Sequence, residues 1–318
     1  MFARLLLAAA LLAATPAVAQ TRPADPLVAV GDWIGKFAAL SAEPASAAAA
    51  CGPQLNSVIG ARDAAAARAA AVQVRPCTDR IRAAYRRSAE ALGQFPPMPA
   101  ELRAAALRFD PDRLIESQRV QFAAAVDYMD QLDLLLAKVA ADDRAGAVQL
   151  LPKVRAGAGI LIDGTILPLR AFQAAARFGF TRNGLELRIV AAEAAKLTLT
   201  GPMSRAGVDI GKALGALVPR ATQATAGVRT SWEQDKVALR ALGGGGAAMD
   251  PLLDIATPLV GDMASAGDQM VSALQQAARR PVVPPAEALA LLNALNRNEI
   301  MIAKSIQGFA QTLQTIGK

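Results

Sequence analysis

Residues 285–316 read PAEALALLNALNRNEIMIAKSIQGFAQTLQTI. Apolar or small side chains recur at Ala288, Leu292, Leu295, Ile302, Ile306, Phe309, Leu313 and Ile316, in alternating steps of four and three. That spacing draws one stripe along one face of an α-helix. Glu299 occupies the remaining position of the stripe, and Asn296, Arg297 and Asn298 make the helix polar beside it. A carboxylate at a core position must be paired, protonated or facing a cavity. Glu299 is therefore the candidate buried acid of the chain. The expected arrangement is a register-setting ion pair with an arginine of another helix, or a helix turned far enough for Glu299 to reach water; the functional alternative is an acid at a ligand pocket.

The same period extends upstream. Ile115, Phe122, Met129 and Leu136, with Ala125, Leu132 and Val139 between them, follow a heptad. Asp25-Pro26, Asp110-Pro111 and Asp250-Pro251 each place Asp at a helix cap and Pro at the first helical position. Helices are expected near 26–41, 44–51, 63–73, 78–93, 99–108, 111–141, 143–178, 184–199, 202–241, 251–279 and 285–316. Period-two runs of β-branched residues are nearly absent. Apolar residues make up 53% of the chain and aromatics only 4%, and alanine abounds, which favours closely approaching helices. Pro152, Pro168, Pro219 and Pro258 fall inside long helical segments, where each should kink or restart the helix. The expected fold is all-α, a kinked multi-helix bundle.

The first 19 residues carry an address. Arg4 precedes an apolar run over 5–14, and Ala17-Val18-Ala19 offers small residues two apart before Gln20, the pattern of a secretory signal peptide cleaved near Ala19. The run is too short to span a bilayer, and no later segment reaches that length uninterrupted. The bias to alanine and to arginine over lysine suits GC-rich bacterial DNA, so the periplasm, or secretion beyond it, is the expected location. Residues 20–94 then form an N-terminal helical segment and 100–318 the main bundle, either as separate units or continuous as one domain. Linkers are expected at 94–99 (QFPPMP), in the glycine run 243–246, and at 281–285 (PVVPP).

An oxidising compartment makes Cys51 and Cys77, the two cysteines, one intramolecular disulfide. An unbroken helix over 53–75 would hold the sulfurs roughly 30 Å apart, so the chain must turn back. The turn signals are Gly52-Pro53, Gly60 and Asp63, the last capping an alanine-rich helix from about 64 to 73. No Cys-x-x-Cys spacing and no histidine favour a redox-active pair.

Charge is concentrated locally. The chain holds 34 basic and 27 acidic residues, and 60–90 carries Arg62, Arg68, Arg75, Arg80, Arg82, Arg86 and Arg87 against Asp63, Asp79 and Glu90. On the helix beginning at Thr78, Arg80 and Arg87 flank one side of the stripe Ile81, Tyr85, Ser88 and Leu92, and Arg82 and Arg86 the other. These four arginines are the candidate patch for an anionic partner, although any surface helix with arginines lying along its flanks looks alike. Export makes nucleic acid an unsuitable partner, leaving an envelope protein or an anionic envelope component.

Residues 156–169 (AGAGILIDGTILPL) could form a membrane-inserting hairpin, and Gly207, Gly211 and Gly215 have the spacing of a close helix crossing. Asp127, Asp130 and Asp133 lack the convergent loop that calcium needs and read as a solvated helix face; Met263 and Met270 read as core. With no histidine in the chain, histidine triads, His-ligated zinc and c-type haem attachment are excluded. No spacing marks catalytic, cofactor-binding or metal-binding residues, and no cofactor is expected. The expected function is non-enzymatic binding or scaffolding in the envelope. A membrane-active protein using 156–169 and a carboxylate-dependent envelope hydrolase using Glu299 are the alternatives. On expression with export, N-terminal sequencing should find the mature chain starting at Gln20; a chain retaining Met1 and Arg4 would refute the leader reading.

Overall fold

A computed structural model of the chain describes residues 33, 35–59, 61, 63–103, 110–242 and 249–316. The leader, the helix start at Asp25-Pro26, residues 104–108 and the glycine run 243–246 lie outside them. The fold is all-α. The helices are α1 (Ala42–Ile59), α2 (Ala64–Gly93), the single turn α3 (Ala100–Arg103), α4 (Pro111–Ala140), α5 (Arg144–Ala175), α6 (Gly179–Thr200), α7 (Gly211–Leu242), α8 (Asp250–Ala278) and α9 (Pro285–Ile316), with three short strands, β1 (Met203–Ser204), β2 (Gly207–Asp209) and β3 (Val282–Val283).

Capping chemistry sets several starts. Asp63 accepts from Ala66 N at 2.8 Å, Asp110 from Asp112 N and Arg113 N, and Asp143 from Gly146 N. Asp143 also pairs with Lys138 at 2.8 Å, and that pairing, with the Gly146 bond, holds its carboxyl below the usual carboxylate range. Asp142 turns the corner between α4 and α5 with a φ of 56°.

Each long helix packs on the next in sequence, and α9 returns to pack on α6. Helices α6, α7, α8 and α9 thereby close into a four-helix ring, while α1, α2, α4 and α5 form an open array beside it. Two hydrophobic cores result, and the division between them runs along α5. Val154, Ala158 and Leu161 join the core of α2 and α4, whereas Ile162, Ile166 and Leu169 join that of the ring. Met263 and Met270 are wholly buried in the ring.

Several sequence expectations are corrected. Pro152, Pro168, Pro219 and Pro258 lie inside single helices, as the expected spans 143–178, 202–241 and 251–279 have them; Pro76 does too, so 64–93 is one helix where two were expected. A missing hydrogen bond costs less than the stripe it would interrupt, since Ala70, Val74, Cys77, Ile81, Tyr85, Ser88 and Leu92 are all buried along α2. The chain turns back between α1 and α2, not at Gly52-Pro53, which lie within α1. Cys51 and Cys77 meet across the two helices as a disulfide, with Cα atoms 5.5 Å apart, worth about 3.5 kcal/mol on the chain-entropy model.

The segment 202–210 is not helical. Strands β1 and β2 make a hairpin, and β3, within the expected 281–285 linker, pairs with β2 through Val208↔Val283 and Asp209↔Val282. This sheet fastens the α6–α7 connection to the α8–α9 connection at one end of the ring. Gly207 has a φ of +141°, and a Cβ there would run into the Val283 carbonyl oxygen; at Gly211 it would meet that of Arg280. The spacing of Gly207 and Gly211 thus serves backbone approach between two loops, not a helix crossing. Gly207→Ala should cost at least ~2 kcal/mol in urea unfolding, through a strained φ and a steric clash; a loss under about 0.5 kcal/mol would contradict the sheet.

Candidate functional site

Helix α6 is enclosed on nearly every side, with Leu185, Leu187, Ile189, Val190, Ala191, Ala192, Ala194 and Ala195 buried. Arg188 lies within this apolar run at 0% exposure. Its Nε donates to Glu299 Oε1 of α9 at 2.8 Å, across 111 residues of sequence. Glu299 is 3% exposed, and its Oε2 is buried without a hydrogen-bond partner among the described residues. Asn296 and Asn298 beside it are buried as well. Burial pushes the Glu299 carboxyl above its ordinary range, and the Arg188 guanidinium pulls against that rise. The carboxylate therefore faces an arginine, and no second acid shares the site among the described contacts.

Both ends of α6 are also finished by neighbours. Phe178 at the N-cap offers no side-chain bond; instead Asp235 of α7, itself buried, accepts from Phe180 N at 2.9 Å. At the other end Arg155 of α5 donates through Nε to the Leu199 carbonyl at 2.6 Å and through Nη2 to that of Gly201. An anion at the N-terminus and a cation at the C-terminus are the placements the helix dipole favours. Phe178, Phe180, Trp232 and Phe309 close the Asp235 end, with Phe180 and Phe309 edge to face at 4.7 Å.

The four candidate arginines of α2 separate into two pairs of circumstances. Arg82 is drawn into an acidic cluster, with Asp79 and Asp130 each at 2.7 Å and Asp133 also paired to it; Thr78 donates to Asp133 as well. Arg87 reaches the opposite neighbour, pairing with Glu43 of α1 at 2.5 Å. Arg80 and Arg86 are exposed. Two of the four thus join α2 to its flanking helices, and the stripe between them is buried. Asp127 and Asp130 are exposed, as a solvated face requires, although Asp130 also pairs with Arg82; Asp133 is the sheltered acceptor of that arginine.

The stretch 156–169 is the middle of α5, not a hairpin. Its small residues let neighbours in: Cβ atoms at Gly157 and Gly164 would crowd Tyr128 and Gln121 of α4, and one at Gly159 would crowd Thr200 of α6. The outer ridge of α5 separates two adjoining grooves. One, of about 590 Å³, lies between α5 and α6 and includes Ile166, Leu167, Leu197 and Leu217; the other, of about 380 Å³, lies between α4 and α5 and includes Val120, Gln121 and Ile160. Asp163 and Leu167 line both. Ile160 and Val120 stand 50% and 54% exposed. Asp163 is paired with Lys196, and Glu193 accepts from both Arg170 and Arg220, so the rim is largely charge-compensated.

Arg188, Asp235 and Arg155 are residues that reading the sequence missed. For Arg188 a signal existed, a charge on the helical stripe of Leu185, Ala192 and Ala195, of the kind that singled out Glu299. For Asp235 and Arg155 there was none, because each serves the terminus of a different helix. Among the described residues no helix is long and apolar enough to cross a membrane, and no three metal-ligating side chains are grouped.

Removing one partner of the buried pair strands the other charge. Glu299→Ala should therefore cost about 3–5 kcal/mol, while Arg188→Met with Glu299→Leu should recover most of it; equal losses in single and double variants would contradict the pairing. Because the native carboxyl titrates above the unfolded one, its contribution is complete below the ordinary carboxylate range and declines as pH rises through the raised value. Glu299→Gln should flatten that part of the stability–pH profile. Compared with family models, curated proteins and solved structures, the chain finds no match in any of the three.

Proposed function

We propose that this is an exported protein of the bacterial envelope, freed of its leader near Ala19, that acts by binding another envelope protein and not by catalysis. The observation that carries this reading is the pair of adjoining grooves on either side of the α5 ridge, with Ile160, Val120 and Leu167 at its apolar centre and compensated charges at its rim. An apolar centre within a polar margin is the anatomy of a protein-docking surface. A helix laying apolar residues at every third or fourth position into such grooves is a common mode of recognition.

Two features of the chain support this reading over its alternatives. Arg82 and Arg87 are held by intramolecular acids, which leaves α2 less able to serve an anionic surface. Glu299 is engaged by Arg188 in the interior, where an extended envelope polymer has no path to it.

A photo-reactive amino acid at position 160 or 120 should crosslink the same protein from envelope fractions, and one at Ile255, which is 54% exposed on α8, should not. Ile160→Asp should reduce the yield about tenfold, roughly 1.4 kcal/mol, with an unchanged melting temperature. Crosslinks to lipid alone would favour the membrane-active reading, and equal products at all three positions would overturn the docking surface.

A further inference from the structure

The small sheet marks one end of the ring, where α6 passes to α7 and α8 to α9. The two connections and the helix ends they join carry Arg205, Lys212, Arg279 and Arg280, all exposed, against the acids Asp209 and Glu287. Backbone bonds hold the connections together: Ile210 N and Gly211 N both donate to the Pro281 carbonyl, at 3.2 and 2.8 Å. Lys212 and the Arg279-Arg280 pair therefore leave one junction. Arg205 and Ala206 make the two-residue turn between β1 and β2, and Arg155, at the C-terminus of α6, adds a further cation. Arg280 takes Glu287 at 3.1 Å, which leaves Arg205, Lys212 and Arg279 without an ion pair among the described residues. On the edge strand β1, Met203 is 55% exposed, and the flanking Pro202 and Ala206 are exposed as well. Helix α2 has no such excess, since Arg82 and Arg87 are paired and Asp79 and Glu90 stand among its other arginines. Cations around an uncovered apolar side chain suit the boundary of a bilayer, where anionic headgroups lie close above hydrocarbon.

We propose that this end of the ring is a docking surface for an anionic lipid bilayer. Arg205, Lys212, Arg279 and Arg280 face the headgroup phosphates, and Met203 of the hairpin makes the apolar contact. The attachment is peripheral, since among the described residues no helix is long and apolar enough to cross a membrane. It draws on long-range attraction between opposite charges, so it weakens as salt shortens the reach of that attraction. It uses neither groove of α5 and is independent of the protein-docking reading above.

Sedimentation of the exported, purified chain with vesicles tests the surface. Vesicles rich in phosphatidylglycerol should carry the chain down at low salt, vesicles of phosphatidylcholine alone should not, and about 0.5 M salt should release it. Arg205→Glu, Lys212→Glu and Arg279→Glu together should lower the partition about tenfold or more with an unchanged melting temperature. Met203→Asp alone should lower it by less, and Arg80→Glu with Arg86→Glu on α2 should leave it as it is. Equal sedimentation with neutral and anionic vesicles would overturn the proposal, as would a loss caused by the α2 variant and not by the variant at the sheet. A chain that ignores vesicles and is retained by immobilised polyglutamate would also overturn it, making the partner an acidic protein.

Discussion

An arginine without access to water must meet its countercharge inside the protein, and Arg188 meets Glu299. Around that requirement the ring of α6 to α9 is organised. Apart from a smaller contact of α8 with α6, the other packed pairs of long helices in the ring follow one another in sequence, and such neighbours find each other through short connections. The return of α9 to α6 has no such help, and there the two charges meet. A slip of α9 by one turn would part them by about 5 Å and leave both in a medium of low dielectric. The pair therefore acts chiefly by penalising wrong registers, which buried ion pairs do better than they add net stability. The aromatic cluster, the Asp235 and Arg155 caps and the small sheet at the loop end then hold α6 from both termini.

The open array is built on different terms. Helices α2, α4 and α5 share a core in which glycine and alanine bring backbones together, and arginines on the two flanks of α2 reach acids on α1 and α4. Among the described residues no helix closes the edge. There Trp33 and Phe37 pack with Phe95, and a covalent link fastens α1 to α2, acting on the unfolded state as much as on the folded one. Helix α5 couples the two regions because successive residues, Leu161 and Ile162, enter different cores.

For function the consequence is that the conspicuous charges of the sequence are mostly internal hardware. Arg82 and Arg87 bind neighbouring helices, Glu299 neutralises Arg188, and Asp143 starts α5. Among the residues of α5 turned outward is the Ile160, Asp163 and Leu167 ridge, part of a stretch whose glycines and apolar residues suggested membrane insertion when read alone. In the fold those glycines admit α4 and α6, and the residues between them shape grooves.

Much of the architecture was legible in the chain, because helical period, the Asp110-Pro111 start and the capping Asp63 are local properties carried by adjacent residues, although Asp250 falls inside α8, after Met249, and caps nothing. The seam of 285–316, the burial of Met263 and Met270 and the pairing of Cys51 with Cys77 follow from such patterns together with the expectation of an oxidising compartment. The continuation of helices through Pro53 and Pro76 was not legible, since whether a lost hydrogen bond breaks a helix depends on the neighbours that pack on it. Nor was the sheet of 203–209 with 282–283, whose strands are two or three residues long and exist only because two loops meet. Local pattern was enough to read a bundle of helices and to mark Glu299 as a carboxylate at a core position, with pairing, protonation, a cavity or a turn toward water all left open. That it pairs with Arg188, and which arginines are engaged inside, emerges only in the fold, because ion pairs and grooves are made between helices and no local pattern records which helices will touch.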